Sequence, residues 1–281
     1  MPRLRVQEAE RAGHRRKKCQ ICAARSVNRK KYRDRDTSKL SHMPTLQNKN
    51  CLVTGGTRGI GFAIARMLAG EGAQVVICGR KPSEVVRIAG KLGAETGAQI
   101  KGKAADVSDY KQVVELFEFV RQEIGPLDVL VNNAGIGTFG SVSDLSVDQW
   151  KQTLETNLSG PFYCVKQAVA AFETRGAGHI VNIGSMAGAH AFAGGSAYNA
   201  SKFGMTGFTE AILQDLRAKN IRVSHVMPGS VATEFGGGDA ATGSDWKIHP
   251  EDVAEVVRMV LRMLARTTVS RIEMRPSQPK R

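Results

Sequence analysis

Tyr198 and Lys202 carry the side chains of this sequence best suited to moving a proton. They stand four residues apart in a segment that predicts a helix over residues 198–218, so both side chains share one helix face. At about 5 Å and an effective dielectric of about 20, an ammonium favours a neighbouring phenolate by roughly 3 kcal/mol. That free energy corresponds to about 2 pKa units, enough to bring a phenol from near 10 toward neutral pH. A Tyr and a Lys at this spacing also arise by chance, and Lys202 could simply be solvated.

Two more polar residues lie near enough in the sequence to join them. Ser185 follows a strand predicted over residues 179–183 and stands 13 residues before Tyr198. Asn157 lies in a helix predicted over residues 146–169, which precedes that strand. Taken singly, each has an ordinary interpretation, since Ser185 could begin a turn and Asn157 could cap or pack.

A glycine-rich stretch near the start of the periodic sequence predicts an anion site. The residues from 51 to 61 read C-L-V-T-G-G-T-R-G-I-G, and a helical segment follows at once. Gly55, Gly59 and Gly61 allow a tight turn and a close backbone approach to a ligand. The free N–H groups of the helix start would then face a phosphate. The spacing G-x-x-x-G-x-G differs from the commoner dinucleotide fingerprint, and glycine clusters also form ordinary turns.

The end of the second predicted strand indicates which dinucleotide would bind. About 20 residues after the glycines, an NAD-binding fold places an acidic residue on the ribose 2′-hydroxyl. Here the strand ends in Gly79, Arg80 and Lys81, and Arg58 lies within the glycine turn. Two or three cations could hold a 2′-phosphate, so the sequence favours NADP over NAD. The alternative is a solvated charge pair after a strand.

Strands and helices alternate along the body of the chain. Strands are predicted from residue 51 and over residues 73–78, 99–104, 127–131, 179–183, 222–227 and 271–274, with helices between them and a last helix from residue 250. Such alternation predicts right-handed βαβ units and a parallel sheet. The glycine turn, Gly79, Asp106 and Asn133 all fall at the carboxyl ends of strands, where ligands bind in such sheets. Residues 234–249 lack periodicity and are predicted to form a mobile loop.

Composition and charge exclude several other classes of protein. The chain has 281 residues, 42% of them hydrophobic and 23% charged, which fits one large α/β domain. No apolar run is long enough for a membrane span, and the N-terminus lacks the apolar core of a signal peptide. Five scattered cysteines argue against a disulfide framework and favour a reducing compartment, so a cytoplasmic location is expected.

The positive charge lies mainly in an N-terminal extension. Residues 1–43 hold 14 Lys and Arg against 4 Asp and Glu, whereas the rest of the chain holds 26 against 22. This composition predicts a disordered extension before a catalytic domain over residues 44–281. Zinc at Cys19 and Cys22, nucleic-acid contact and a transit peptide are the alternatives for this segment, and the sequence favours an upstream extension of the reading frame or a cloning remnant over them. No metal site is expected, because a zinc site needs four ligands and no second pair follows.

Together, these motifs resemble the short-chain dehydrogenase/reductase family. The matches run in the family's order over residues 48–275: the stretch T-G-G-T-R-G-I-G from residue 54, Asp106, N-N-A-G from residue 132, Asn157, Ser185, Tyr198 with Lys202, and Pro228-Gly229. The resemblance implies a single Rossmann-type, doubly wound α/β domain with about seven parallel strands, a nicotinamide cofactor and a homotetramer or homodimer. Arg58 with Arg80 resembles the NADP-using branch, which includes 3-oxoacyl-carrier-protein reductases.

The resemblance also assigns roles to residues. It implies a catalytic tetrad of Asn157, Ser185, Tyr198 and Lys202. In that mechanism Ser185 holds the carbonyl oxygen, Tyr198 gives it a proton, Lys202 holds the cofactor ribose near the phenol, and Asn157 holds a water that refills the relay. Cofactor contacts are expected from Gly55, Thr57, Arg58, Gly59, Ile60, Gly61, Arg80, Lys81, Asp106, Val107, Asn133, Ala134, Gly135, Tyr198, Lys202, Pro228, Gly229, Val231 and Thr233.

Two function classes follow. The first is an NADP-dependent oxidoreductase that moves a hydride between nicotinamide and a carbonyl or secondary alcohol, with 3-oxoacyl-thioester reduction as one form. The second is a non-catalytic redox sensor that uses its basic extension on nucleic acid, although a sensor has no need of the tetrad. The substrate pocket is expected around residues 186–193, with His190 and Phe192, and in the loop after Pro228. This mixture of small and aromatic residues without a charged anchor fits a modest apolar carbonyl compound, while an acyl thioester, a sugar-like ketone and a pterin stay open.

Overall fold

The computed structural model describes residues 44–237 and 245–278. Within them, one sheet of seven parallel strands has the order β3-β2-β1-β4-β5-β6-β7. The strands are β1 (Asn50–Val53), β2 (Gln74–Gly79), β3 (Ile100–Ala104), β4 (Val129–Asn132), β5 (Gly178–Ile183), β6 (Ile221–Pro228) and β7 (Arg271–Met274). The predicted parallel sheet of about seven strands is confirmed. The disorder predicted for residues 1–43 lies outside the described residues.

Seven α-helices connect the strands in the part of the chain that the structure describes. They are α1 (Gly59–Gly70), α2 (Pro82–Thr96), α3 (Tyr110–Ile124), α4 (Val147–Leu154), α5 (Gly160–Arg175), α6 (Ser196–Leu216) and α7 (Pro250–Leu261). A single π-helical turn, Glu155–Ser159, joins α4 directly to α5. The long helix predicted over residues 146–169 is therefore one rod with a local change of hydrogen bonding. Such π turns occur often at functional sites.

Two apolar layers hold the helices onto the sheet. Alternate strand residues point to opposite faces, and both faces of a parallel sheet are covered. Val53, Ile77 and Val131 pack with α1, α2 and α7 on one face. Leu52 and Leu130 pack with α3, α5 and α6 on the other face. Because every central strand is buried on both sides, its residues read as the continuous apolar runs seen in the sequence.

The winding of the chain reverses at β1. This strand pairs with β2 on one side and with β4 on the other, so the chain first builds the sheet outward from β1 and then crosses back. A crevice opens at such a reversal, beyond the carboxyl ends of the strands. The residues that follow β1, β2, β3 and β4 therefore meet at one edge of the sheet.

The ends of several elements differ from the sequence prediction for local reasons. The apolar pattern predicts the second helix over residues 83–92, whereas α2 continues to Thr96, where Gly97 adopts a left-handed conformation (φ 70°) and ends it. In the region predicted as a mobile loop, Phe235–Gly237 form a short 3₁₀ turn and Val231 bridges to Ile248. Residues 238–244 of that region lie outside the described part of the chain. None of the described helices is long and apolar enough to cross a membrane.

Candidate active site

A cavity of about 1080 Å³ opens at the carboxyl edge of the sheet. Nineteen of the predicted site residues line it, and only Gly61 and Asn157 do not: the lining includes Gly55, Thr57, Arg58, Gly59, Ile60, Arg80, Lys81, Asp106, Val107, Asn133, Ala134, Gly135, Ser185, Tyr198, Lys202, Pro228, Gly229, Val231 and Thr233. The fold thus gathers residues that are up to 178 positions apart, Gly55 to Thr233, around one space. One end holds the glycine turn and cations, and the other holds Ser185, Tyr198 and Lys202.

The glycine turn is shaped to admit a ligand to its backbone. Gly55 has a left-handed conformation (φ 63°), and a Cβ there would come within 2.9 Å of the Ala134 Cα. A Cβ on Gly61 would lie 2.3 Å from the Gly55 carbonyl oxygen, which explains why Gly61 is required although it does not line the cavity. Helix α1 starts here without a side-chain cap and without an acidic residue in its first turn. Its N-terminal N–H groups are therefore free to bind an anion.

Thr54 and Asn133 fix the turn to the end of β4. The Asn133 Nδ2 donates to the carbonyls of Thr54 and Gly55 at 2.9 and 3.0 Å. In return, the Thr54 Oγ1 accepts from the backbone N–H groups of Asn133 and Ala134, both at 3.0 Å. Both amide protons of Asn133 are thus used on the turn, so its side chain positions the phosphate-binding backbone. The sequence pattern placed Asn133 at the cavity but gave no sign that Thr54 is its partner.

The cations at the phosphate end of the cavity lie near acidic side chains. Arg58 lies 3.2 Å from the Glu234 carboxylate, and both side chains are largely exposed. A surface pair of this kind contributes little and can be exchanged for another anion. Arg80 and Lys81 are exposed after β2, with Glu84 also on the cavity wall. Arg58, Arg80 and Lys81 thus place three cations at this end of the cavity, which the carboxylates of Glu84, Asp106, Glu234 and Glu251 also line.

Ser185, Tyr198 and Lys202 are brought together by β5 and the first turns of α6. The Lys202 Nζ donates to the carbonyl of Ile183, the last residue of β5, at 3.2 Å and lies 5.8 Å from the centre of the Tyr198 ring. Ser185 starts a 3₁₀ turn and its Oγ accepts from the Ala187 N–H at 3.1 Å. That bond leaves the hydroxyl proton of Ser185 available to donate into the cavity.

Asn157 connects the loop after β4 to helix α6 through hydrogen bonds of its side chain. It lies in the π turn, and its side chain forms two hydrogen bonds with the Ile136 backbone. The Oδ1 accepts from the Ile136 N–H at 2.8 Å, and the Nδ2 donates to the Ile136 carbonyl at 2.9 Å. The second amide proton goes to the Ser201 Oγ at 3.0 Å, and Ser201 donates to the Tyr198 carbonyl at 2.7 Å. The expected role for this side chain was to hold a water. That role stays a prediction, and the buried side-chain contacts add that Asn157 links the loop after β4 to the helix that carries Tyr198.

Comparison with known proteins decides the family. The model described as short chain dehydrogenase matches residues 49–242, well over half of the chain. The chain belongs to this family. It is 42% identical over 195 residues to trans-4-hydroxycyclohexanecarboxylate dehydrogenase of Sinomonas cyclohexanicum, covering 68% of this chain and 75% of that one. An uncharacterized oxidoreductase of Staphylococcus saprophyticus is 30% identical over 234 residues, covering 83% of this chain and all of its own.

Solved structures show the same relationship in three dimensions. An alcohol dehydrogenase from Thermococcus sibiricus, complexed with 5-hydroxy-NADP, has a TM-score of 0.77 at 28% identity and covers 83% of this chain and 99% of its own. Actinorhodin polyketide ketoreductase with NADPH has a TM-score of 0.75 at 33% identity, over 83% and 98% of the two chains. This short-chain dehydrogenase is therefore an oxidoreductase of the alcohol and carbonyl class. The comparisons give no support to the alternative of a non-catalytic sensor.

The electrostatics of the short-chain dehydrogenase site correct one sequence expectation. Burial raises the pKa of Tyr198, and hydrogen bonding with Ser185 offsets only part of that rise. Burial also lowers the pKa of Lys202 to about 8. The expected depression of the phenol pKa by Lys202 is thus wrong for the protein chain by itself. Both side chains have lost water, so each is pushed toward its neutral form and the attraction between phenolate and ammonium does not prevail.

Two of the three phenylalanines near Tyr198 could not be found from sequence motifs. Phe139 and Phe235 flank the Tyr198 ring, with centroid distances of 5.4 and 5.7 Å, and Phe192 lies 5.9 Å from Phe139. Phe192 was expected in the substrate pocket, but Phe139 and Phe235 were not. They stand on separate loops without periodicity, so only the fold brings them to Tyr198.

Replacing Lys202 with Met should change how stability depends on pH. A lysine whose pKa is lower in the folded than in the unfolded state costs stability while it must be protonated, and the cost fades as pH rises from about 8 toward the unfolded value. The Met variant carries no such cost. Its free energy of unfolding should therefore exceed that of the wild type most near pH 7, by on the order of 2–3 kcal/mol, and less at pH 9.5. Urea denaturation at several pH values measures this gap.

A surface variant supplies the control. Lys111→Met removes an exposed lysine from α3, and its stability gap to the wild type should stay flat over the same pH range. A gap for Lys202→Met that is equally flat would show that the ammonium is not desolvated as described.

Proposed function

We propose that this chain is an NADP-dependent oxidoreductase that transfers a hydride between the nicotinamide and a carbonyl or secondary alcohol. The observation that carries the proposal is one cavity shared by the open glycine turn, the three cations and the group of Ser185, Tyr198 and Lys202. Phosphate recognition and proton transfer are thereby directed at the same space. The NADP and NADPH complexes of the similar structures support the choice of cofactor.

The described residues fit such a dinucleotide. The turn around Gly55 and the start of α1 offer bare backbone N–H groups to a pyrophosphate, since a Cβ at Gly55 would meet the Ala134 backbone. Arg58, Arg80 and Lys81 would hold the 2′-phosphate, with Glu234 released from Arg58 as the phosphate takes its place. Asp106 and Val107 would border the adenine, and Lys202 would bind a ribose hydroxyl. When bound, the nicotinamide supplies or accepts the hydride.

Each residue near Tyr198 has a separate task. The Ser185 hydroxyl donates a hydrogen bond to the substrate oxygen and so stabilises the charge that grows there. The Tyr198 hydroxyl gives its proton to the same oxygen during reduction and takes it back during oxidation. The Lys202 ammonium stabilises the phenolate that Tyr198 becomes. Asn157 holds α6 against the Ile136 loop and places the water that refills the proton relay.

Tyr198→Phe should remove the proton donor while keeping the ring and its contacts with Phe139 and Phe235. Turnover of a carbonyl substrate with NADPH should fall by at least about 10²-fold, the usual scale for a general acid. Absorbance of NADPH measures turnover, and calorimetry should show unchanged NADPH binding. Tyr110→Phe, which removes a hydroxyl bonded to Gln167 on the outer helices, is the matched control and should stay active. Ordinary turnover by Tyr198→Phe would refute the assignment.

Arg80→Asp should weaken the preference for NADPH over NADH. One charge-assisted contact contributes roughly 1.5–3 kcal/mol, so the ratio of the two kcat/KM values should change by about tenfold to hundredfold. Arg87→Asp makes the same charge change on the exposed side of α2, away from the cavity, and controls for the long-range field. Equal use of both cofactors by the wild type would contradict the cofactor assignment.

Assembly is proposed from the apolar surface of the helices behind the site. Trp150 on α4, Phe162 on α5 and Phe203 on α6 are 38%, 47% and 45% exposed. We infer that these helices pair with a second copy, giving a homodimer or homotetramer, because a two-fold interface needs one self-complementary apolar face. Light scattering at micromolar concentration should show an assembly that Phe162→Glu dissociates. A wild-type monomer would contradict the inference.

Two finer assignments remain proposals. Reduction of a 3-oxoacyl thioester is one candidate within the reaction class, and the polyketide ketoreductase among the similar structures supports it only at the level of carbonyl chemistry. A cytoplasmic location rests on cysteine chemistry: Cys51, Cys78 and Cys164 are buried free thiols, and burial raises the pKa of Cys78 to about 12. Fractionation of cells would test the location, and a carbonyl panel would test the substrate.

A further inference from the structure

The half of the cavity next to Tyr198 is walled by three phenylalanines from three different loops. Phe139 follows β4, Phe192 precedes α6, and Phe235 follows β6. Their side chains are 49%, 48% and 41% exposed, whereas the Tyr198 between them is 9% exposed. We call Phe139, Phe192 and Phe235 the aromatic wall.

Glycines provide the space in which the rings of the aromatic wall pack. A Cβ on Gly137 would lie 2.6 Å from the Phe235 ring, and a Cβ on Gly236 would lie 2.6 Å from the Phe139 ring. Each of these two loops thus provides the space for the phenylalanine of the other. Gly195 does the same for Phe192, with a distance of 2.7 Å. Because the glycines are matched to the rings, the wall is a built surface and not three loose side chains.

The aromatic wall leaves apolar surface open in the cavity beside Tyr198. Three half-exposed phenylalanine rings present roughly 300 Å² of apolar surface, a size at which exposed patches are commonly binding sites. Along the series Phe235, Tyr198, Phe139 and Phe192, neighbouring rings are inclined to each other by 48° to 68°, so the rings offer both faces and edges. Aromatic faces and edges make their best contacts with another ring, in tilted or offset geometry.

We propose that the aromatic wall selects a carbonyl compound whose ketone lies in or beside a compact ring, an alicyclic or aryl ketone, in preference to an open-chain ketone. This inference rests on the proposed function, since it names the substrate class of the same site. In the reaction, the ketone carbon accepts a hydride from NADPH and the oxygen accepts the Tyr198 proton, giving a secondary alcohol and NADP⁺. Tyr198 then regains a proton from solvent.

The shape of the wall favours a ring over a chain. From Phe235 through Tyr198 to Phe139 and Phe192, neighbouring ring centres are 5.4 to 5.9 Å apart. A compact ring placed beside Tyr198 contacts more than one of these rings at once without losing internal freedom. A flexible chain must lose rotamer entropy to make the same contacts. The difference should appear as selectivity between ketones of equal carbon number.

The test compares acetophenone and cyclohexyl methyl ketone with 2-octanone, which has the same number of carbon atoms, on the full chain with NADPH. The two ring ketones should have kcat/KM values at least about tenfold above that of 2-octanone. Phe139→Leu and Phe235→Leu should each reduce this ratio by about threefold or more, since Leu keeps apolar volume but not the ring. Phe119→Leu, a partly buried phenylalanine on α3 outside the cavity, should keep the ratio.

A binding measurement distinguishes failure of the ring preference from failure of the proposed oxidoreductase function. Calorimetry of each ketone with the NADP⁺ complex reports affinity without turnover. Ring ketones that bind more tightly than 2-octanone, with loss in Phe139→Leu, support the aromatic wall even if no ketone is reduced, in which case only the proposed function fails. Tyr198-dependent reduction of 2-octanone as fast as of the ring ketones, with equal affinities, overturns the substrate class and leaves the proposed function intact. Absence of both turnover and binding overturns both.

Discussion

A buried ammonium is the constraint on which this site depends. Lys202 is 6% exposed and donates its one described hydrogen bond to the carbonyl that ends β5. A charged group with so few partners is costly, and the cost is accepted only where the surroundings are rigid enough to give it a fixed place. The end of β5, the start of α6 and the Ser185 turn must therefore keep their separations closely. Small displacements would either expose Lys202 to water or move it away from Tyr198.

Rigidity at the two ends of the cavity has two sources. At the phosphate end, Thr54 and Asn133 exchange hydrogen bonds between the ends of β1 and β4. At the chemical end, Asn157 and Ser201 connect the Ile136 loop to the backbone of Tyr198. The loop after β4 takes part in both networks, because it carries Asn133 and Ile136. A cofactor that fills the cavity would therefore touch one continuous hydrogen-bonded frame, and its placement at one end fixes the distance at the other.

Features that depend on residue spacing or on periodicity were predictable from the sequence. The glycine turn, the alternation of strands and helices, and the pair Tyr198 and Lys202 each follow from spacing within a few residues or from period alone. The edge of the sheet at which they meet followed from the general behaviour of parallel strands. The aromatic wall was not predictable in full, since Phe139 and Phe235 are nearly a hundred residues apart and obey no period. The π turn at Asn157 was not predictable either, because helix propensity does not distinguish a π-helical from an α-helical hydrogen-bond pattern.

The pKa of Tyr198 shifts upward in the folded chain, opposite to the direction that the sequence predicts. The spacing of Tyr198 and Lys202 indicates only their Coulomb attraction, whereas the loss of water around both groups depends on the fold. In the folded chain desolvation prevails. The phenol should therefore become acidic enough for catalysis only when a further positive charge, such as an oxidised nicotinamide, shares the cavity.

The pKa of Tyr198, with and without NADP⁺, tests this account most directly. Tyrosinate absorbance, taken as the difference between wild type and Tyr198→Phe, isolates this phenol over the pH range in which circular dichroism shows the fold intact. Without cofactor the pKa should lie above that of free tyrosine, and saturating NADP⁺ should lower it by at least about one unit. A phenol pKa below that of free tyrosine in the protein alone, or one that NADP⁺ leaves unchanged, would contradict the account.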